Sequence, residues 1–340
     1  MIFFHDNELH GWNGLFFYDN EFNGLHEFMI ELDKIYNEDC LEGMKRIPDG
    51  MVDCVVTSPP YYALRDYNVE GQIGLESSLD EYIDKLVAVF DEVRRVLKPT
   101  GTLWLNIGDC YATGTQAARK QSPNPGVGAN NEEAQNSVPR LGNPDGCKTK
   151  DLIGVPWMLA FALRRSGWYL RQDIIWQKPN AMPESVKDRC VKSHEYIFLL
   201  SKAEKYFIDY DALREPAATG ERPNETNKRN VQVEVPGHQK QFRGGNPNDG
   251  KRTKRDVWSI CVEPGYEGHH AVFPLSLPRQ CIMLGCPKDG TVLDHFMGSG
   301  TTAIACIKEH RHFIGFELNK EYFDKAVKRI RQEQAQPTLF

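Results

Sequence analysis

Between Ser78 and Pro99 the large apolar residues fall at Leu79, Tyr82, Ile83, Leu86, Phe90, Val93 and Leu97, three and four positions apart, which predicts one buried face of an α-helix. Asp80 and Glu81 lie in its first turn, where the helix dipole favours acids, and Lys98-Pro99 stops it before Gly101. The flanking patterns differ. Asp53 to Thr57 and Thr102 to Ile107 are short apolar runs of the kind found in a sheet covered on both faces, and Ile35-Tyr36 begins a weaker one. Further on, a helix is predicted around Val155 to Arg165 and strands at Trp168–Trp176 and His194–Ser201. From Ala271 the alternation returns: a helix near Leu277–Leu284, a strand at Thr291–Asp294, a helix over Thr302–Glu309, a strand at His312–Glu317 and a helix over Lys320–Gln334. Strands and helices taking turns in this way predict an α/β fold, a mostly parallel Rossmann-like sheet with helices on both faces.

Two stretches break the alternation. Ala112 to Lys150 is poor in large apolar residues and rich in Gly, Asn, Pro and Gln, which predicts a long mobile loop. Thr219 to Arg255 is polar and Asn-rich with nine bases against four acids, which marks either a solvated loop or a surface facing a polyanion. The overall charge of -6 hides this, because Met1 to Asp33 holds seven acids and no base, leaving +1 for the remaining 307 residues. That N-terminal stretch lacks the basic region of a signal peptide. The longest apolar runs, such as Ile174-Ile175-Trp176 and Tyr196 to Leu200, fall far short of the roughly 20 residues of a membrane-spanning helix. Nine scattered cysteines without a Cys-x-x-Cys pair read as reduced thiols, with neither a disulfide framework nor a metal site. A cytoplasmic protein with no membrane partner is expected.

Two constellations carry chemistry. Strand Thr291–Asp294 runs into Phe296-Met297-Gly298-Ser299-Gly300-Thr301-Thr302 and then a helix, so glycines sit where backbone can approach a ligand at a helix N-terminus. Glu317 ends the next strand, 17 residues beyond Gly300, where a nucleotide-binding α/β fold places a carboxylate for ribose hydroxyls. The pair points to an adenosine-containing ligand. The turn lacks the lysine of a triphosphate-gripping loop and the third glycine of a dinucleotide loop. The second constellation is Thr57-Ser58-Pro59-Pro60-Tyr61-Tyr62 after the strand Asp53–Val56. Two prolines stiffen the backbone and leave its carbonyls to accept from elsewhere, Ser58 adds an acceptor, and Tyr61 adds an aromatic face. Such a set suits an exocyclic amine on a flat ring. A plain proline-rich turn would share the same residues.

These motifs, in this order, resemble the amino-group DNA methyltransferases in their beta permutation, over roughly residues 34–334. The resemblance implies a Rossmann-like methyltransferase sheet with circularly permuted motif order, S-adenosyl-L-methionine as cofactor, and double-stranded DNA as partner. Ser58, Pro59, Pro60 and Tyr61 resemble the catalytic motif. Asp39-Cys40-Leu41 resembles the adenine-contacting turn, and His270, Phe273 and Pro274 a stretch near the methionine moiety. Asp294, Phe296, Gly298, Ser299, Gly300, Thr301 and Thr302 resemble the cofactor loop, and Glu317 the ribose-binding acid. Trp176-Gln177-Lys178-Pro179-Asn180 resembles a segment near the target base. The implied division is an acidic extension 1–33, a catalytic half 34–180 containing the loop 112–150, a target-recognition region 181–263 and a cofactor half 264–334. The basic stretch then becomes the DNA contact region, through Arg222, Lys228, Arg229, Lys240, Arg243, Lys251, Arg252, Lys254 and Arg255.

The chemistry that follows is direct transfer to an amine whose protons are held by the Ser58 hydroxyl and the Pro59 carbonyl, in a base flipped out of the duplex onto Tyr61. Methylation at cytosine C5 needs a nucleophilic cysteine, typically in Pro-Cys, and only the reverse, Cys286-Pro287, occurs. Ser58 stands where adenine enzymes more often carry Asp, which favours cytosine N4 over the alternative, adenine N6. Related enzymes also methylate RNA or protein glutamine. A DNA-binding protein that has lost catalysis would need a broken motif, and none is broken. A cognate restriction endonuclease and a homodimer are family-based expectations.

Overall fold

The computed structural model describes residues 30–112, 143–216, 251–263 and 273–335. In chain order its elements are β1 (Lys34–Tyr36), α1 (Cys40–Met44), β2 (Val52–Thr57), α2 (Leu79–Val96), β3 (Leu97–Ile107), α3 (Val155–Arg165), β4 (Tyr169–Gln177) and β5 (His194–Ser201). Three short strands follow, β6 (Glu215–Pro216), β7 (Lys251–Arg252) and β8 (Val257–Ser259). The chain ends with α4 (Ser276–Gly285), β9 (Thr291–Asp294), α5 (Thr301–Lys308), β10 (His312–Phe316) and α6 (Lys320–Gln334). Most of the loop 112–150, most of the basic segment 219–255 and most of the extension 1–33 lie outside the described residues.

Eight strands form one sheet in the order β1-β10-β9-β2-β3-β5-β4-β8. Its pairings are parallel except those of β5, which runs antiparallel to both β3 and β4. The alternating pattern therefore produces the expected mostly parallel sheet. Helices α1, α2 and α3 cover one face around Met44, Tyr82, Phe90 and Leu159, whereas α4, α5 and Ile330 of α6 cover the other around Trp104, Trp258 and Phe313. In α2 the Ser78 hydroxyl accepts from the Glu81 amide at 3.2 Å, and Arg94-Arg95 close the C-terminal turn, so caps and charges agree with the apolar stripe. The helix passes straight into β3 at Leu97, five residues before the apolar run at Thr102. Pro99 is tolerated because the β2–β3 ladder is irregular between the pairs Val52–Leu97 and Cys54–Thr102, so no ladder amide is needed from it.

The topology reverses between β2 and β9. From β2 the sheet continues to β3, and from β9 it continues in the opposite direction to β10. In open α/β sheets the loops leaving the carboxyl ends of two such strands bound the crevice in which ligands bind. The turns after β2 and β9 are the two constellations singled out in the sequence.

The other face is closely packed. Thr102 Oγ1 donates to the Gly285 carbonyl at 3.0 Å and accepts from the Trp104 indole at 3.1 Å. A Cβ on Gly285 would sit 2.5 Å from Thr102 Oγ1 and run into the Trp104 ring. Gly285→Ala is expected to lower stability by about 1–3 kcal/mol through overpacking. Urea unfolding checks this; an unchanged midpoint would show that α4 moves aside freely. Among the described residues no helix is long and apolar enough to cross a membrane, and no cluster of three or more metal-ligating side chains occurs.

Candidate functional site

One wall of the crevice is the turn between β9 and α5. Gly298 and Gly300 adopt left-handed backbone with φ of 55° and 85°, and a Cβ on Gly300 would come within 3.1 Å of Ala326 Cβ on α6. Glu317 lies one residue beyond β10, so its carboxylate turns into this loop. It accepts from the Gly298 amide at 2.7 Å and the Asn319 amide at 2.8 Å. Burial outweighs those two bonds and pushes the carboxyl up to about 7. Asp39 at the end of the neighbouring β1 turn caps α1, its Oδ1 accepting from Leu41 at 2.8 Å and Glu42 at 3.2 Å. Cys40 beside it is buried, and desolvation pushes its thiol up to about 12, which leaves it unreactive.

Asp294 joins the two turns. It is 1% exposed, and its oxygens accept from Thr57 Oγ1 at 2.8 Å, the Phe296 amide at 3.1 Å and Thr302 Oγ1 at 2.6 Å. Burial raises its carboxyl to about 6. These contacts fasten the last residue of β2 to the loop after β9, and they occupy the carboxylate with internal donors. Asp294 therefore holds the two turns in register. Thr302 shares that task. Thr301 Oγ1 instead accepts from Arg329 on α6 at 2.9 Å.

The opposite wall is the turn after β2. The Pro60 carbonyl accepts from the Tyr82 hydroxyl at 2.8 Å, which anchors the turn to α2. Among the described residues no donor reaches the Pro59 carbonyl. Tyr61 donates its hydroxyl to Glu195 Oε2 at 2.9 Å, and the same oxygen accepts from Asn106 Nδ2 at 3.2 Å. Lys178 forms an ion pair with the other oxygen of Glu195 and stands 4.2 Å from the centre of the Trp176 ring. Burial pushes the Tyr61 phenol well above its ordinary value, Glu195 adds to this, and the nearby Ser58 hydroxyl opposes it. The chain after Tyr61 then crosses toward α6, where the Tyr67 carbonyl accepts from Asn319 and the Tyr67 ring meets Tyr322 edge-on at 6.0 Å.

A family model described as a DNA methylase, of N6/N4 methyltransferase type, matches residues 52–328. The chain belongs to the N6/N4 DNA methylase family. Type II methyltransferase M.Cfr9I of Citrobacter freundii is 44% identical over 302 residues, 88% of either chain. M.SmaI of Serratia marcescens is 45% identical over 297 residues, 87% of this chain and 90% of that one. The solved PvuII DNA methyltransferase, described as cytosine-N4-specific, shares the fold with a TM-score of 0.58 at 18% identity, over 90% of this chain and 92% of that one. A putative DNA modification methylase of Thermus thermophilus, solved in complex with S-adenosyl-L-methionine, gives a TM-score of 0.53 at 22% identity, over 88% and 93%.

The methylase is accordingly a DNA methyltransferase; the relatives it matches are Type II methyltransferases, and the Thermus neighbour in fold holds S-adenosyl-L-methionine, a methyl donor. The crevice suits that donor. Two glycines expose backbone, Glu317 supplies a partly buried acceptor, and the Ser299 hydroxyl is buried without a hydrogen-bond partner among the described residues. Phe273 and Pro274 lead into α4, with the Pro274 carbonyl accepting from Leu277 at 3.0 Å. His270 lies outside the described residues.

Of the basic residues, Arg222, Lys228, Arg229, Lys240 and Arg243 lie outside the described residues. Three of the other four gather on one acid. Glu215 carries Arg255 at 3.1 Å, Arg252 at 3.4 Å and Lys254 at 4.0 Å, and Lys251 lies opposite Pro216 in the β6–β7 pair. Lys254 also stands 5.0 Å from the centre of the Trp258 ring. These residues precede β8, which runs parallel to β4, so the register sets them toward the end of the sheet away from Ser58.

Sequence reasoning missed Glu195, Asn106 and Tyr67. The one local signal for Glu195 is an acid at the head of the apolar run Tyr196 to Leu200. Its partners come from β3, from the residue after β4 and from the turn after β2, far apart in the chain.

Proposed function

We propose that the methylase transfers the methyl group to the exocyclic N4 of a cytosine flipped out of duplex DNA, with Ser58, Pro59, Pro60 and Tyr61 forming the base-side wall. The observation that carries this reading is the turn itself, a hydroxyl and a carbonyl that meets no donor among the described residues, on a backbone stiffened by two prolines, beside a tyrosine held by its own hydroxyl. S-adenosyl-L-methionine supplies an electrophilic methyl on a sulfonium. Asp39, the Phe296–Gly300 turn and Glu317 would hold its adenosine part, and Phe273 and Pro274 would flank its methionine part.

An aromatic amine is a poor nucleophile while its lone pair is delocalised into the ring. Acceptors on both of its protons favour the tetrahedral nitrogen that can attack, and Ser58 Oγ with the Pro59 carbonyl would accept those protons in hydrogen bonds without acting as a strong base. Tyr61 offers its ring face to the base. Serine at the head of the turn, with no carboxylate there, is the feature that favours cytosine over adenine. Residues 34–180 and 264–334 act as the catalytic and cofactor halves, 181–263 as the recognition region with Arg222 to Arg243 on DNA, and an endonuclease cutting the same sequence is the partner expected.

The test is expression in a methylation-deficient bacterium followed by mass spectrometry of the digested DNA, with Ser58→Ala as control. N4-methylcytosine above the control is expected. N6-methyladenine in its place would overturn the choice of base.

A further inference from the structure

We propose that Glu195 is a positioning residue for base capture, orienting the Tyr61 ring and pinning the Lys178 ammonium beside it. The inference rests on the reading that Tyr61 faces the target base. Two prolines fix the backbone before Tyr61 but leave its χ angles free, and a stacking surface is useful only if its plane is set before the base arrives. Glu195 sets it. Its Oε2 receives the Tyr61 hydroxyl at 2.9 Å and Asn106 Nδ2 at 3.2 Å, and its other oxygen receives Lys178.

The ring also packs closely on one side. A Cβ on Gly108 would be 2.8 Å from Tyr61 Cε2 and 3.3 Å from the Glu195 side chain, so the ring lies against bare backbone on that side. A mostly buried carboxylate is costly unless it is fully partnered, and hydrophobic residues would join β3, β4 and β5 at least as well. The Glu195 side chain is 16% exposed and Lys178 18%, yet both sit at the carboxyl edge of the sheet, beside the turn that bears Ser58. Lys178 is held in turn over the Trp176 ring, which fixes one positive charge next to the place where an electron-rich base would stack.

The experiment is a double-mutant cycle on the full-length enzyme. Single-turnover methyl transfer at saturating cofactor and DNA is measured for Tyr61→Phe, Glu195→Gln and the double variant, together with cofactor affinity and thermal stability. Fluorescence of 2-aminopurine placed at the target base reports its orientation. Each single variant is expected to slow transfer about tenfold, the double variant no more than either, because both break the same charge-assisted bond. Cofactor affinity stays within about twofold, while the 2-aminopurine signal of the bound complex shifts, which a purely structural role would not produce.

Losses that multiply in the double variant would overturn the proposal. So would an unchanged rate in Tyr61→Phe, which removes a single oxygen and keeps the test decisive if Glu195→Gln does not fold. Tyr61→Ala separates this proposal from the one beneath it. A large loss there with Tyr61→Phe silent removes only the role of Glu195, whereas near-normal activity in Tyr61→Ala removes the stacking role of Tyr61 itself.

Discussion

Ser58→Ala is expected to keep cofactor affinity within about twofold of the parent and to slow methyl transfer by roughly 10²–10³-fold, the loss typical of removing one preorganised polar group from the reacting centre. The split follows from geometry. Ser58 belongs to the turn after β2, whereas the loop after β9 and Glu317 form the other wall, and the two are joined through Thr57 and Asp294 without involving the Ser58 side chain. Removing one hydroxyl leaves the prolines and the Tyr82–Pro60 bond intact, so the turn keeps its shape. Calorimetry of cofactor binding beside single-turnover kinetics is the check. Cofactor binding lost along with transfer would place Ser58 on the wrong wall.

Glu317→Ala is expected to do the reverse and weaken S-adenosyl-L-methionine binding by roughly 10²-fold or more, since each hydrogen bond to a charged group contributes about 1.5–3 kcal/mol. The same residue predicts a pH dependence. Burial holds the Glu317 carboxyl near 7, against an ordinary value of 4.5. Ribose hydroxyls donate to the ionised form, so cofactor affinity should strengthen as pH rises through about 7 and weaken below it. Stability of the cofactor-free enzyme responds with the opposite sign. A carboxyl raised in the folded state binds its proton more tightly than in the unfolded chain, a contribution that is complete below about 4.5 and lost as pH rises through about 7. Asp294, raised to about 6, acts in the same direction. Glu317→Gln should flatten the affinity profile; a slope surviving in that variant would assign the titration to another group.

The two walls differ in how much of them local sequence could reveal. The glycines of the cofactor loop, the paired prolines and the apolar periodicities act through neighbours a few residues away, so Gly298, Gly300, Pro59, Pro60 and the stripe on α2 could be read directly. So could the class of fold, because strands buried on both faces and helices buried on one leave different patterns. The resemblance to amino-group DNA methyltransferases rested on those local motifs and holds.

The sequence by itself determined most of the longer elements, the two chemical turns and the family, but not α1, the short strands β6 to β8 or the early start of β3 at Leu97. Only the tertiary structure decided that β9 lies against β2, which brings turns more than 200 residues apart to one crevice. It gave Asp294 to Thr57 and Thr302, and it gathered Tyr61, Asn106 and Lys178 onto Glu195. It also tied Arg252, Lys254 and Arg255 to Glu215. The physical reason is common to these cases. Periodicity and turn chemistry are short-range properties of the chain, whereas the partner of a buried carboxylate is whichever donor strand order and register carry to it, and no local pattern encodes that choice.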